Sequence, residues 1–192
     1  MISHFRAAAC AAVLICIVSS NALAQFETSG RARIGLRMMN YRPSSSAFSG
    51  LPGDWLCPAI DYNLKFDDKD RPTQIISYAW FSQSAYSTSA KLQPLTFTII
   101  HRSSKDDETK GWYRGIGLGL YKCQYNTIDY VNGGWANSSS TNIGVCLLGG
   151  YDFSETWFAE VRYDMAGSVS NAAAGSVSFN GISVSVGTHA AY

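Results

Sequence analysis

From Arg31 to the end of the chain, apolar and polar residues alternate with a period of two, while helix-period segments with caps are absent. Successive side chains of a strand point to opposite faces, so a chain written this way must build sheets with two chemically different sides. In 31–38, Ala32, Ile34, Leu36 and Met38 share one face, and Arg31, Arg33, Gly35 and Arg37 share the other. Ile60, Tyr62, Leu64 and Phe66 then oppose Asp61, Asn63 and Lys65; Ile76, Tyr78 and Trp80 oppose Ser77 and Ala79; Leu95, Phe97 and Ile99 oppose Thr96 and Thr98. The pattern continues with Trp112, Ile116, Leu118 and Leu120 against Tyr113, Gly115, Gly117, Gly119 and Tyr121, and with Ile143, Val145, Leu147 and Tyr151 against Asn142, Gly144 and Gly150. Trp157, Ala159, Val161 and Tyr163 oppose Glu160, Arg162 and Asp164, and Ile182, Val184, Val186, Thr188, Ala190 and Tyr192 oppose Gly181, Ser183, Ser185, Gly187 and His189. Eight segments of this kind predict an all-β, eight-stranded antiparallel up-and-down barrel, because an even number lets a meander close with both ends on one side and removes the exposed edges.

Composition narrows the setting. Of the 192 residues, 46% are hydrophobic and only 15% charged, which does not suit a disordered chain or a coiled coil. Lys plus Arg numbers 15 against 14 Asp plus Glu, so there is no positive field for nucleic acid. Arg6 precedes an apolar run over 7–18, followed by Ser19, Ser20, Asn21 and then Ala22-Leu23-Ala24, the pattern of an export signal with cleavage before Gln25. The expected organisation is therefore a signal peptide over 1–24 and one barrel domain over 25–192. Twelve apolar residues are too few for a spanning helix, which needs roughly 18–20.

With the first strand running outward, the outer connections are 41–58, 82–93, 124–140 and 166–174, mostly long and rich in Ser, Gly and Asn. The inner ones, 67–72, 103–110 and 152–156, are shorter and two of them are acidic. This asymmetry belongs to barrels that span a membrane. Alternation alone leaves open a soluble, lipocalin-like carrier with its apolar face inward. Two features favour apolar-out. The polar faces of several strands are Gly, Ser, Thr and Ala rather than Lys and Glu, which fits a narrow interior, and aromatics gather at strand ends, with Phe66, Trp112, Tyr151, Trp157 and Tyr192 at the inner end and Trp80 and Tyr163 near the outer.

The stretches 115–121 (Gly-Ile-Gly-Leu-Gly-Leu-Tyr), 148–151 (Leu-Gly-Gly-Tyr) and 157–163 (Trp-Phe-Ala-Glu-Val-Arg-Tyr), with the terminal strand over 187–192, resemble the small OmpA/OmpX-like outer-membrane barrels of Gram-negative-type bacteria. The resemblance implies an outer-membrane location, contact with outer-membrane lipid and lipopolysaccharide, and delivery to the barrel-assembly machinery through the C-terminal strand. Such proteins usually finish on Phe, whereas this chain finishes on Tyr192 after two alanines.

By parity the lumen receives Arg31, Arg33, Arg37, Asp61, Lys65, Glu160, Arg162 and Asp164, which are expected to pair into a plugging charge network because unpaired buried charge is costly. The expected function is structural or surface-interacting, through 41–58 and 124–140 with Trp55, Tyr125, Tyr130 and Trp135 as exposed contacts to a ligand the sequence does not name. An eight-stranded interior is filled by its own side chains, so a large pore is not expected. No metal or cofactor motif is present, and the acidic turns 67–70 and 106–108 lack the spacing of a calcium loop. A lipid-modifying enzyme is the alternative in another class. His101, Ser103 and Glu108 supply its residue types, but His101 sits at the inner end, away from outer-leaflet lipid A. Cys123 and Cys146 share lumen parity on consecutive strands, and a hairpin centred near Gly134 would set them opposite one another for a disulfide; three free thiols, Cys57 included, are the alternative.

Overall fold

The computed structural model describes residues 34–67, 71–102, 110–154 and 156–189. The export signal over 1–24, Arg31, Arg33, Ser103, Glu108 and Tyr192 lie outside the described residues. The strands are β1 (Ile34–Pro43), β2 (Trp55–Phe66), β3 (Pro72–Ala79), β4 (Phe81–Ala85), β5 (Thr88–Arg102), β6 (Gly111–Ile128), β7 (Trp135–Asp152), β8 (Trp157–Met165), β9 (Ser168–Asn171), β10 (Gly175–Ser178) and β11 (Gly181–His189). A single 3-10 turn occupies Ser46–Phe48. Both β3 and β4 pair with β5 and are separated only at Trp80, so together they form one wall. β9 and β10 make a separate small hairpin. The remaining neighbours pair antiparallel, and β1 closes on β11 from Gly35↔His189 to Pro43↔Gly181, giving a closed barrel of eight walls.

The register fixes the shape. A ladder row that begins at His101 passes through Arg114, Gly149, Val161, Val184, Asn40 and Leu56. Extending the Ala59↔Ala79 register places Leu56 beside Ser82, which pairs with Lys91 on the strand where the row began. The row thus returns to β5 ten residues nearer the outer end, a stagger that tilts eight strands by about 40° and lifts the row by about 3 Å per strand. Its chemistry broadly follows its height: polar at His101 and Arg114, apolar or bare at Gly149, Val161 and Val184, and polar at Asn40, Ser82 and Lys91, with the apolar Leu56 between them.

Exposure settles which face is outside. Along β11, Ile182, Val184 and Val186 are 51%, 53% and 49% exposed while Ser183 and Ser185 are 1% and 3% exposed. The same split holds on every wall, with Leu36, Ile60, Tyr78, Phe97, Leu118, Leu147 and Val161 outward and Arg37, Asp61, Thr96, Glu160 and Arg162 inward. The lipocalin-like arrangement is overturned, since burying Arg37 and Glu160 while exposing this belt suits lipid outside, not water. On β6 the outward run from Trp112 to Leu120, apolar except at Arg114, is about 20 Å tall after allowing for tilt, close to the height of a bilayer-facing band.

The outer connections are shorter than their composition suggests. β6 and β7 continue as a paired ladder to Ile128↔Trp135, so most of 124–140 is strand, and β1 and β2 run to Pro43 and from Trp55. Above the belt the outward face becomes Lys122, Gln124, Thr141, Ser139 and Asn137, which read as loop because the outward half of the alternation is no longer apolar. The connection 166–174 likewise lies within the β9–β10 hairpin region. Asp129 organises the β6–β7 turn: its Oδ1 accepts from the backbone N–H of Val131 at 2.9 Å and of Asn132 at 3.1 Å, and its Oδ2 from Asn132 Nδ2 at 2.8 Å. These donors hold the Asp129 carboxyl below its ordinary range.

Candidate functional site

The lumen has two storeys, each set by which residues have inward parity. In the inner storey, β1, β2, β5 and β8 send Arg37, Asp61, Thr96, Glu160, Arg162 and Asp164 toward the axis. Arg37 Nη1 donates to Glu160 Oε1 at 2.6 Å. Its Nη2 stands 3.1 Å from Asp61 Oδ1, a Coulombic contact that lacks hydrogen-bond alignment. Arg162 donates from Nε to Asp164 Oδ1 at 2.9 Å and from Nη2 to Thr96 Oγ1 at 3.0 Å. Tyr121 and Tyr113, on β6, add hydroxyl donors to Asp164 Oδ1 at 2.7 Å and to Glu160 Oε2 at 3.4 Å. Two guanidiniums thus meet three carboxylates in a space with a cavity of only about 10 Å³, room for about one water.

A second cluster closes the inner mouth. Arg102 Nε donates to Asp152 Oδ2 at 2.9 Å, its Nη1 donates to the carbonyl of Pro72, and its guanidinium lies over the Tyr113 ring. His189 Nε2 is 3.4 Å from Asp152 Oδ1 and its ring stacks on Phe158 at 4.5 Å. Arg102 is absent from the lumen residues expected from sequence, although the parity of Thr96 and Thr98, carried to the inner end of β5, points to it.

The outer storey is apolar and aromatic, which corrects the expectation of a polar lumen throughout. Met39, Tyr41, Trp55, Cys57, Phe81, Leu92, Cys123 and Tyr125 fill it from the walls, and Phe48, Val169, Val177 and Phe179 close it from above. Phe48, at the end of the 3-10 turn, is the keystone, with ring centroids 5.2 Å from Trp55, 5.8 Å from Tyr125 and 5.0 Å from Phe179. Tyr41 donates its hydroxyl to the carbonyl of Phe179. Asn171 ties the β9–β10 hairpin to β6 and β7 by donating to the carbonyl of Ala136 at 2.9 Å, to Ser138 Oγ at 3.1 Å and to the carbonyl of Tyr125 at 3.4 Å. Nothing in the alternation marks these plug residues, because they come from connections.

The tyrosines need glycine seats. A Cβ at Gly150 would stand 2.2 Å from Tyr113 Cζ, and one at Gly144 2.7 Å from Tyr121 Cε2.

Several expected placements are corrected. Lys65 is exposed outside the lumen: between Asn63↔Ile75 and Lys65↔Gln74 an extra residue bulges from β2, and the parity inverts beyond it. Cys123 pairs in register with Ser140, and Cys146 with Gly117, six residues or about 20 Å apart along β6. No bridge is possible at that separation, and all three described cysteines are buried free thiols. Trp55 and Tyr125 are not surface contacts but inward plug residues, whereas Tyr130 and Trp135 are exposed. Of the expected girdle, Trp112, Trp157, Trp80 and Tyr163 face outward, and Phe66 and Tyr151 are half-buried. His101 faces outward at the inner edge of the belt, away from the lumen.

No protein-family model and no curated protein sequence matches the chain. Among solved structures, the N-terminal β-barrel domain of Pseudomonas aeruginosa OprF aligns with a TM-score of 0.57 and 15% identity, covering 83% of this chain and 98% of that one. Neisserial surface protein A (NspA) aligns with a TM-score of 0.51 and 19% identity, covering 81% and 95%. The likeness is one of fold, and it agrees with the closed barrel built above from register.

Proposed function

We propose that the chain is an outer-membrane barrel with an occluded lumen, acting as a structural element of the envelope and presenting its outer hairpins for surface interaction. The observation that carries this reading is the pairing of a bilayer-facing belt with a lumen stopped at three levels, by Arg102–Asp152, by the Arg37 and Arg162 network and by the Phe48 plug. Solute passage is therefore not its work. What remains free to act is the outer rim, where Tyr86, Tyr130, Val131 and Trp135 stand exposed at the ends of the β4–β5 and β6–β7 hairpins. Outward Lys91 and Lys122 lie just above the belt on adjacent strands, where lipopolysaccharide phosphates would meet them.

The test is fractionation of cells, followed by comparison of unboiled and boiled protein on SDS gels and recording in planar bilayers. Sedimentation with outer membranes, faster migration unboiled and no stable high-conductance steps are expected. Regular large steps refute the occluded lumen. Exchanging Tyr86, Tyr130 and Trp135 for Ser separates the two roles: a variant that restores envelope integrity to a deletion strain but not its surface attachment assigns the rim to interaction.

A further inference from the structure

The lipid-facing belt is not uniformly smooth. On the exterior of β6, β7, β8 and β11 toward the inner end, an apolar groove of about 360 Å³ is open to the bilayer. Its floor is Gly149 and Ala159, where side chains are missing or small; Trp112, Tyr151 and Phe153 form one wall, and Val161 and Val184 the other. The aromatic wall is braced by itself, with ring centroids 5.1 Å apart for Trp112 and Tyr151 and 5.5 Å for Tyr151 and Phe153. A Cβ built at Gly149 would meet only the Tyr113 carbonyl, at 3.9 Å, so the vacant floor is not demanded by packing within the barrel.

Arg114 does not line this groove but stands next to its floor on the neighbouring strand. It is Gly149's direct partner on β6, faces outward, and is flanked along the strand by Trp112 and Ile116, which are 72% and 55% exposed. A guanidinium inside the lipid-facing belt needs an anion or must reach the interface. No carboxylate among the described residues forms an ion pair with it, and its neighbour across β5 is the outward His101. The ladder row supplies the direction. From Arg114 it passes Gly149 and Val161 to Val184 while climbing about 9 Å, away from the inner headgroup level and toward the middle of the bilayer. Charge at the headgroup end and a dry trough rising from it match a phospholipid lying with its phosphate low and a chain rising beside the wall.

We propose that this groove is a binding site for one phospholipid of the inner leaflet, its phosphodiester held by Arg114 with His101 beside it and one acyl chain laid over Gly149 and Ala159. Arg114 snorkels along Trp112 to the phosphate, and the chain covers the floor that no protein side chain fills.

The test uses the full mature chain, purified in detergent, delipidated, and offered palmitoyl-oleoyl phosphatidylglycerol, a diacylglycerol with the same chains, or inorganic phosphate, with bound species counted by native mass spectrometry. One phosphatidylglycerol per chain is expected, with retention about tenfold lower for Arg114→Gln, for Gly149→Leu and for the diacylglycerol, as loss of a charge-assisted contact or of the trough implies. Both variants keep the SDS gel shift of the closed barrel; should Gly149→Leu fail to close, Ala159→Leu fills the same trough. Equal retention by wild type and variants, equal retention of diacylglycerol, binding of inorganic phosphate alone, or a dimer that excludes lipid overturns the proposal.

Discussion

Replacing Arg37 by Met removes the cation that two buried carboxylates share. In the folded barrel Arg37 is 5% exposed, Glu160 accepts from it at 2.6 Å and Asp61 lies 3.1 Å away. Arg162 offers no substitute for both, because it is already committed to Asp164 at 2.9 Å and to Thr96. Breaking a buried pair by removing one partner costs about 3–5 kcal/mol, since the stranded charge keeps its desolvation penalty, and this is a factor of roughly 10² to 4 × 10³ in the unfolding equilibrium. If stranded charge is the cause, Arg37→Met combined with Asp61→Asn and Glu160→Gln recovers most of the loss. Arg42→Met, outward and exposed two turns of the pleat above, should stay within about 0.5 kcal/mol of wild type. The assay is urea unfolding from lipid vesicles, followed by the loss of the fast-migrating unboiled band. A single variant destabilised by less than about 1 kcal/mol, or a triple variant no better than the single, refutes the reasoning.

Gly150→Leu sets a side chain against the Tyr113 phenol and the Ala159 carbonyl and should cost about 1–3 kcal/mol in the same unfolding assay, with Tyr113→Ala relieving the part due to the phenol; an unchanged midpoint contradicts the seat. Thiol titration of denatured, unreduced mature protein should count three free thiols per chain, and a count of one with peptide mapping to a Cys123–Cys146 bridge contradicts the register of β6 and β7. Asp129, whose carboxyl is held below its ordinary range, stabilises its turn above the ordinary carboxylate pH and loses that contribution as pH falls through the lowered value. Protection of the Val131 and Asn132 amides, taken relative to intrinsic exchange at the same pH, should accordingly fall below about pH 4, and Asp129→Ala should abolish that fall.

The eight walls were legible because lipid on one side and a narrow interior on the other make alternation strict wherever a strand crosses the belt, as in Ile182 through Val186. Legibility ended where one of those constraints ends. Above the belt the outward face is wet, so Lys122, Gln124, Asn126, Asn137, Ser139 and Thr141 carry no apolar half of the alternation, and β6 and β7 there resemble a loop. At Lys65 a bulge inverts the parity, and a sequence pattern has no mark for one extra residue. The Cys123–Cys146 bridge failed on a turn position: with the hairpin closing at Ile128↔Trp135, both residues keep their inward parity but sit six residues out of register. The charge network was legible as far as Arg37, Asp61, Glu160, Arg162 and Asp164, which share parity on strands already recognised. The aromatic plug was not, since Phe48, Val169, Val177 and Phe179 reach the lumen from connections that fold back into it.

The central claim, a barrel whose apolar face meets lipid and whose polar face is enclosed, is tested most directly by spin labels placed singly along β11, from residue 182 to 187, in a background with Cys57, Cys123 and Cys146 replaced by Ala. In vesicles, labels at 182, 184 and 186 should be accessible to oxygen dissolved in the bilayer, while those at 183, 185 and 187 should be shielded from oxygen and from a water-soluble relaxant alike. Labels at 183 and 185 that report lipid, or an oxygen accessibility without a period of two, would contradict the account.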